Sequence, residues 1–192
     1  MRFIDISSGA FTAPNYPDDP TPRYKWLKSI EKGSEYNLSL VGMTPHSGTH
    51  ADAPLHYLQN STSADKIPLE KCYGSCTVVT LSGVITGEDM DKLLKHCQKR
   101  LLIHGSGRAS LELSAARVLA DNNMLLVGID SISISYEPQE ESVHKELLSN
   151  DIVILENLDL TGVPDGNYII CAFPLKLEGL EAAPVRAVLI AK

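Results

Sequence analysis

The run Leu125-Leu126-Val127-Gly128-Ile129 contains no polar side chain. A strand wetted on one side alternates polar and apolar residues, so a run without alternation must be covered on both faces. Parallel strands joined by helices provide such cover, and the flanking segments supply the rest of the unit. Cys76 to Leu81 and Leu101 to Ile103 read as strands before this run, and Ile152 to Leu155 as a further buried strand after it. Thr86-Gly87-Glu88-Asp89 resembles a capping box, and Met90, Leu93, Leu94 and Cys97 follow it at helical spacing. Ala115 to Leu119 marks a second helix that stops at Asn122-Asn123, and His144 to Leu148 a third, short one. Strand–helix–strand alternation from Cys76 to Leu155 predicts an α/β core.

The two ends of the chain are rich in strands. Phe3 to Ile6, Tyr168 to Ala172 and Val185 to Ile190 read as strands, and Tyr36 to Met43 alternates as a half-buried strand does. Ser7 to Pro22 holds Pro14, Pro17, Pro20 and Pro22, which predicts a long extended loop on the surface or across a site. No repeat, low-complexity stretch or linker divides the chain, so residues 1–192 are expected to form one domain.

The net charge of -7 and a pI near 5.3 tell against a partner with a phosphate backbone or an anionic membrane surface. Lys92 to Arg100, the longest basic gathering, is broken by apolar residues and reads as a solvated helix face. There is no secretory leader pattern at Met1-Arg2-Phe3-Ile4-Asp5-Ile6 and no apolar run of the ~20 residues that span a bilayer. Cys72, Cys76, Cys97 and Cys171 are too scattered for a disulfide framework and read as reduced thiols. A cytoplasmic protein without nucleic-acid or membrane partners is the expectation.

The chemistry lies in His46-Ser47-Gly48-Thr49-His50-Ala51-Asp52-Ala53-Pro54-Leu55-His56. Three of the six histidines fall in these eleven residues, with a carboxylate between them. Imidazole and carboxylate are ordinary ligands of zinc and manganese. Gly48 and Pro54 disfavour a helix, and in an extended chain the four even-numbered residues would project to one side. A straight strand would still hold His46 and His50 about 13 Å apart, too far to share one ion. The chain must therefore bend, and Gly48 is the residue that permits it. On this reading His46, His50 and Asp52 are ligands, while Pro54 stiffens the second half of the motif and leaves His56 as a free acid/base. Three protein ligands beside a free base make an open site, whereas a structural zinc has four and is closed to water. Glu156, ending the buried run from Ile152, lies where open α/β sheets place their sites, and burial there calls for a cationic partner. His144, by itself, reads as a solvated residue on a polar helix, and His96 and His104 as ordinary surface or core histidines. His104-Gly105-Ser106-Gly107 reads as a strand-to-helix turn, since no G-x-S-x-G elbow accompanies it. Trp26, the single tryptophan, reads as core or edge packing.

The pattern His46-x-Gly48-Thr49-His50-x-Asp52-x-Pro54-x-His56 resembles the signature of the cyclase-like metal-dependent hydrolase family, which includes bacterial arylformamidases (kynurenine formamidases) and isatin hydrolases. Further segments are similar to the family's along the whole chain: Phe3-Ile4-Asp5-Ile6-Ser7, Leu126-Val127-Gly128-Ile129-Asp130-Ser131, Ile154-Leu155-Glu156-Asn157-Leu158, Pro174-Leu175-Lys176 and Ala183-Pro184-Val185-Arg186-Ala187. Tyr16-Pro17-Asp18-Asp19 stands where the family has aromatic-Pro-Gly-Asp, so an acidic residue replaces the glycine. The resemblance implies a swivelling β/β/α fold, assembly into dimers or tetramers, and one or two ions of Zn²⁺ or Mn²⁺. It implies that His46, His50 and Asp52 hold a first ion, and that Asp52, His144 and Glu156 hold a second. It implies His56 as the catalytic acid/base and Tyr16 in contact with the substrate. The expected substrate is a small amide, N-formylkynurenine or a cyclic amide of the isatin kind. The alternative is a non-catalytic, metal-dependent binding module on the same fold; chelation separates the two, since a structural site loses folding and an enzyme loses turnover.

Overall fold

The structure is a computed structural model and describes residues 1–191. The chain begins with strands β1 (Arg2–Asp5), β2 (Arg23–Lys28), β3 (Leu38–Gly42) and β4 (His50–Asp52). It continues through β5 (Tyr73–Thr80), β6 (Gly83–Ile85), α1 (Gly87–Leu94), β7 (Arg100–His104), β8 (Ala109–Leu111) and α2 (Leu113–Asp121). It ends with β9 (Leu126–Ile129), α3 (Glu140–Ser149), β10 (Val153–Glu156), β11 (Gly166–Cys171), β12 (Ala182–Pro184) and β13 (Val188–Ala191).

Nine strands form one sheet in the order β1-β13-β11-β5-β7-β9-β10-β4-β12. The middle four, β5, β7, β9 and β10, run parallel, and every pairing outside them is antiparallel. The expected α/β core is this parallel centre, and the β-rich chain ends extend the sheet on both sides. The sheet curls: Ser7, beyond β1, bridges Leu158, beyond β10, although β1 and β10 stand six places apart in the strand order.

Both faces of β9 and β10 are buried, as the unalternating run at Leu126–Ile129 requires. Leu101, Ile103, Val127, Ile129 and Ile154 face the helices and pack with Met90, Ala115, Leu119, Val143 and Leu147. Leu102, Leu126 and Leu155 face the other way, into the curl, with Ile6, Ala51, Cys72, Cys76, Ile170 and Leu189. Each such fully buried aliphatic side chain contributes about 1.5–3 kcal/mol. All four cysteines are free; burial pushes the Cys72 thiol up to about 11 and the Cys76 thiol up to about 12, as suits inert core residues. Among the described residues no helix is long and apolar enough to cross a membrane.

Three expectations need correction. The strand over Tyr36–Met43 is not half-buried: β3 pairs only with β2, a strand the hydrophobic pattern leaves unread, and every residue of both is exposed. Trp26 sits on this ribbon, 52% exposed and edge-on to Tyr24, rather than in a core. The third helix starts a full turn before His144, at Glu140.

Candidate metal centre

Period-two alternation explains only part of the histidine motif. Only His50–Asp52 is a strand, and there Ala51 turns into the core while His50 and Asp52 turn to the helix side. β4 lies between β10 and β12, with His50 opposite Glu156 and Asp52 opposite Ile154. Strand pairing therefore brings His50 and Glu156 together: Nε2 of His50 is 3.4 Å from Oε2 of Glu156.

His46 arrives by a turn rather than by alternation. Ser47 N–H donates to the Thr44 carbonyl, and Gly48 takes a φ of 68°. A Cβ on Gly48 would lie 2.8 Å from the backbone of Ala10 and 2.9 Å from the Ser8 carbonyl oxygen, so the position needs glycine for both conformation and space. The bend is locked by Thr49, whose hydroxyl donates to the Asn157 carbonyl and accepts from Ser8 N–H. His46 Nδ1 then stands 3.2 Å from Asp52 Oδ1.

Pro54 opens a short 3-10 turn, Pro54–His56, instead of prolonging an extended chain. This turn carries His56 back over the cluster, its ring 4.4 Å from that of His46 and 5.7 Å from that of His144. His46, Asp52 and His56 each offer a ligand atom within 4.8 Å of the others, and so do His50, Asp52 and Glu156. Stiffening by Pro54 thus does not hold His56 at a distance, and its role turns on its chemistry rather than on its separation.

α3 supplies the last imidazole. His144 Nε2 is 3.3 Å from Glu156 Oε1 and 3.8 Å from Asp52 Oδ2. His144 is buried, which corrects the reading of a solvated residue. Glu156 closes β10 and is fixed by Ile134 N–H, which donates to Oε1 at 2.6 Å. All five expected ligands therefore meet on one face, between β4, β10 and α3.

The electrostatics fit a cation. Both oxygens of Asp52 and Nε2 of His50 are buried and lack a hydrogen-bond partner. Orphaned buried charge of this kind costs several kcal/mol unless something positive is shared among the groups. Nδ1 of His50 lies 2.9 Å from the Gly48 carbonyl, and Nδ1 of His144 lies 2.8 Å from the Glu140 carbonyl. Each carbonyl holds the proton on Nδ1 and leaves Nε2 to face the cluster, the arrangement that orients histidine ligands. Burial opposes charge on His50, but contact with Glu156 and the charge of Asp52 outweigh it and carry the pKa up to about 9. The same contest, with Glu156 as the main partner, carries His144 up to about 9. Burial would raise Asp52, but His46, His50 and His56 together hold it far below the carboxylate range. His56 moves the other way: burial, aided by His46 and His144, lowers its pKa despite Asp52.

A cavity of about 240 Å³ opens over the cluster. Tyr16 lines it, as expected, and its hydroxyl donates to Glu140 Oε2 at 2.7 Å. Asp18, which stands where the resembling motif has glycine, takes a φ of 70°, a left-handed conformation that aspartate tolerates. Sequence reasoning missed Tyr57, whose ring stacks on His144 at 4.6 Å, and Ser133, Glu140 and Asn157 in the wall. It also missed Glu181, whose Oε1 is 3.5 Å from His46 Nε2. One signal for the wall was readable: Ser131-Ile132-Ser133-Ile134-Ser135 puts serines at every second place just past a central strand. His104 and Ser106 belong to a turn instead, where Asp130 accepts the Gly105 and Ser106 N–H groups.

The comparisons with known proteins agree with this geometry. Kynurenine formamidase of Delftia acidovorans (strain DSM 14801 / SPH-1) is 35% identical over 202 residues, covering 98% of this chain and 97% of that protein. A solved structure described as a "predicted metal-dependent hydrolase from Bacillus stearothermophilus" superposes with a TM-score of 0.84 at 30% identity, covering 98% of this chain and 97% of the other. Isatin hydrolase A from Labrenzia aggregata shares the fold, with a TM-score of 0.81 at 19% identity over 100% of this chain and 94% of the other. The profile of the family described as "Putative cyclase" matches residues 4–136, and with that match and these relatives the chain belongs to the cyclase family.

Proposed function

We propose that this chain is a metal-dependent amide hydrolase, an arylformamidase that converts N-formylkynurenine and water into kynurenine and formate. The observation that carries this reading is the set of buried, unpartnered ligand atoms on His50, which lines an open cavity, and on Asp52, 3.5 Å from it. The full-length similarity to a kynurenine formamidase supports the choice of substrate. In this reading His46, His50 and Asp52 hold one divalent ion, and Asp52, His144 and Glu156 hold a second. Zinc suits this mixture of nitrogen and oxygen ligands, and manganese is the alternative. An ion held by these residues would polarise the amide carbonyl and acidify water.

The remaining work falls to the chain's own side chains. His56, with its pKa lowered by burial and by its histidine neighbours, is a neutral imidazole at neutral pH. It accepts the proton that water loses on adding to the carbonyl carbon, then donates it to the nitrogen as the C–N bond breaks. Tyr16 keeps its proton, because hydrogen bonding to Glu140 and burial push its pKa up to about 12; with that proton given to Glu140, it meets the substrate through its ring and the lone pairs of its hydroxyl oxygen. The whole of residues 1–192 acts as one domain of a cytoplasmic enzyme.

The enzyme assembles as a homo-oligomer through the β2–β3 ribbon. Tyr24, Trp26, Leu27, Leu38, Leu40 and Val41 are 43–60% exposed on it, and a two-stranded ribbon is marginal without a surface to rest on. Purified protein loaded with zinc or manganese and given N-formylkynurenine tests the reading. Release of kynurenine well above the metal-ion blank supports it, and no release refutes the substrate assignment.

A further inference from the structure

The proposed hydrolysis uses one side of the cavity and leaves Glu140 and Asp19, on its wall, without a task. Among the described lining residues there is no lysine or arginine. Glu140 is 7% exposed, so its carboxylate is held in a mostly dry place, and no lysine or arginine lines the cavity beside it. Two hydroxyls compensate in part: Tyr16 donates to Oε2 at 2.7 Å and Ser133 donates to Oε1 at 2.8 Å. Each carboxylate oxygen has two lone pairs, so one acceptor position remains on each. A buried carboxylate balanced only by hydroxyl dipoles gains most from a charged donor.

The spacing is fixed by the helix. Glu140 lies one turn before His144 on α3, and its carbonyl accepts from the His144 ring. Four residues of helix rise about 6 Å. A group that meets Glu140 is therefore a few bonds away from one that reacts beside His144.

We propose that Glu140, with Asp19 lining the same cavity, recognises a protonated amine on the substrate, so that the site selects ammonium-bearing amides over neutral ones. This rests on the cavity being the substrate site and deepens that reading by naming the charge of the substrate's far end. An ammonium brings three donors to the two free acceptor positions, and substrates that lack it leave a buried carboxylate uncompensated.

Binding measurements test this without requiring turnover. Phenethylammonium and phenethyl alcohol, equal in shape and different in charge, are titrated calorimetrically into the metal-loaded protein. The ammonium should bind at least tenfold more tightly than the alcohol. Glu140→Gln should bring the ratio below about threefold, whereas Glu141→Gln, which removes the neighbouring exposed carboxylate of the same helix, should preserve it. Equal binding of the pair by the unaltered protein, or no detectable ammonium binding, overturns the proposal. So does a Glu140→Gln variant that weakens both ligands alike, which would make Glu140 a prop for the Tyr16 loop. If the variant does not fold, the pair measured on the unaltered protein decides alone. A failed N-formylkynurenine assay beside a clear ammonium preference would refute the arylformamidase assignment and keep this one.

Discussion

Asp52 is the side chain on which the others converge. His46, His50 and His144 approach its two oxygens at 3.2, 3.5 and 3.8 Å, and neither oxygen is hydrogen-bonded. The geometry that brings His46 there depends on Gly48. Gly48→Ala should cost at least about 1–2 kcal/mol, the penalty for a left-handed Cβ, before the close contact with Ala10 is counted. Denaturant unfolding measures the loss, and metal content should fall with it. His56→Ala should lower turnover roughly 10²–10⁴-fold while the metal is retained. Loss of metal in that variant would make His56 a ligand, as its place beside His46 and Asp52 permits. The gathering of imidazoles around a carboxylate and the need for a bend were legible in the motif, because residue type and strand geometry bound them. The 3-10 turn at Pro54 and the contact of Glu181 with His46 were not, since they depend on tertiary packing.

Among the elements, the parallel strands and the β2–β3 ribbon are opposite cases. The strands were readable because burial on both faces leaves an unalternating apolar run, as at Leu126–Ile129. The ribbon departs from its pattern: alternation over Tyr36 to Met43 predicts one face in water and one in a core, whereas both faces of β3 lie open. Its residues 23–42 carry a net charge of +2, against -9 for the rest of the chain. Its exposed apolar side chains offer on the order of 600–900 Å², near the ~800 Å² per partner of a stable interface. Leu40→Glu with Trp26→Glu should therefore give a folded monomer by sedimentation, while the unaltered protein sediments as an oligomer. If both sediment alike, the ribbon is not the contact. α3 begins a turn before the apolar pattern at His144 to Leu148, because its first turn opens on Glu140 and Glu141 and the burial of Glu140 comes from the cavity rather than from periodicity.

For the whole molecule, the cluster links metal, protons and stability. In chelated protein His50 and His144 titrate at about 9, above the ordinary 6.5, so their contribution is complete below about 6.5 and is lost as pH rises through 9. Asp52 and Glu156 are lowered, so theirs is present above the ordinary 3.8 and 4.5 and is lost as pH falls. Thermal unfolding of the metal-free protein should thus be highest between about pH 4.5 and 6.5 and decline toward pH 9 and beyond. Metal uptake should release protons and strengthen over the same alkaline range, because the ion replaces protons on His50 and His144. A flat profile from pH 6 to 10 would mean that these imidazoles do not face the carboxylates as described. The most direct measurement is a titration of chelated protein with zinc or manganese, followed at once by circular dichroism and by kynurenine release from N-formylkynurenine. The expected result is a folded, inactive starting protein whose hydrolysis returns as one or two ions bind per chain. Hydrolysis that is undiminished in the metal-free protein, or absent from the fully loaded one, would contradict a metal-dependent arylformamidase.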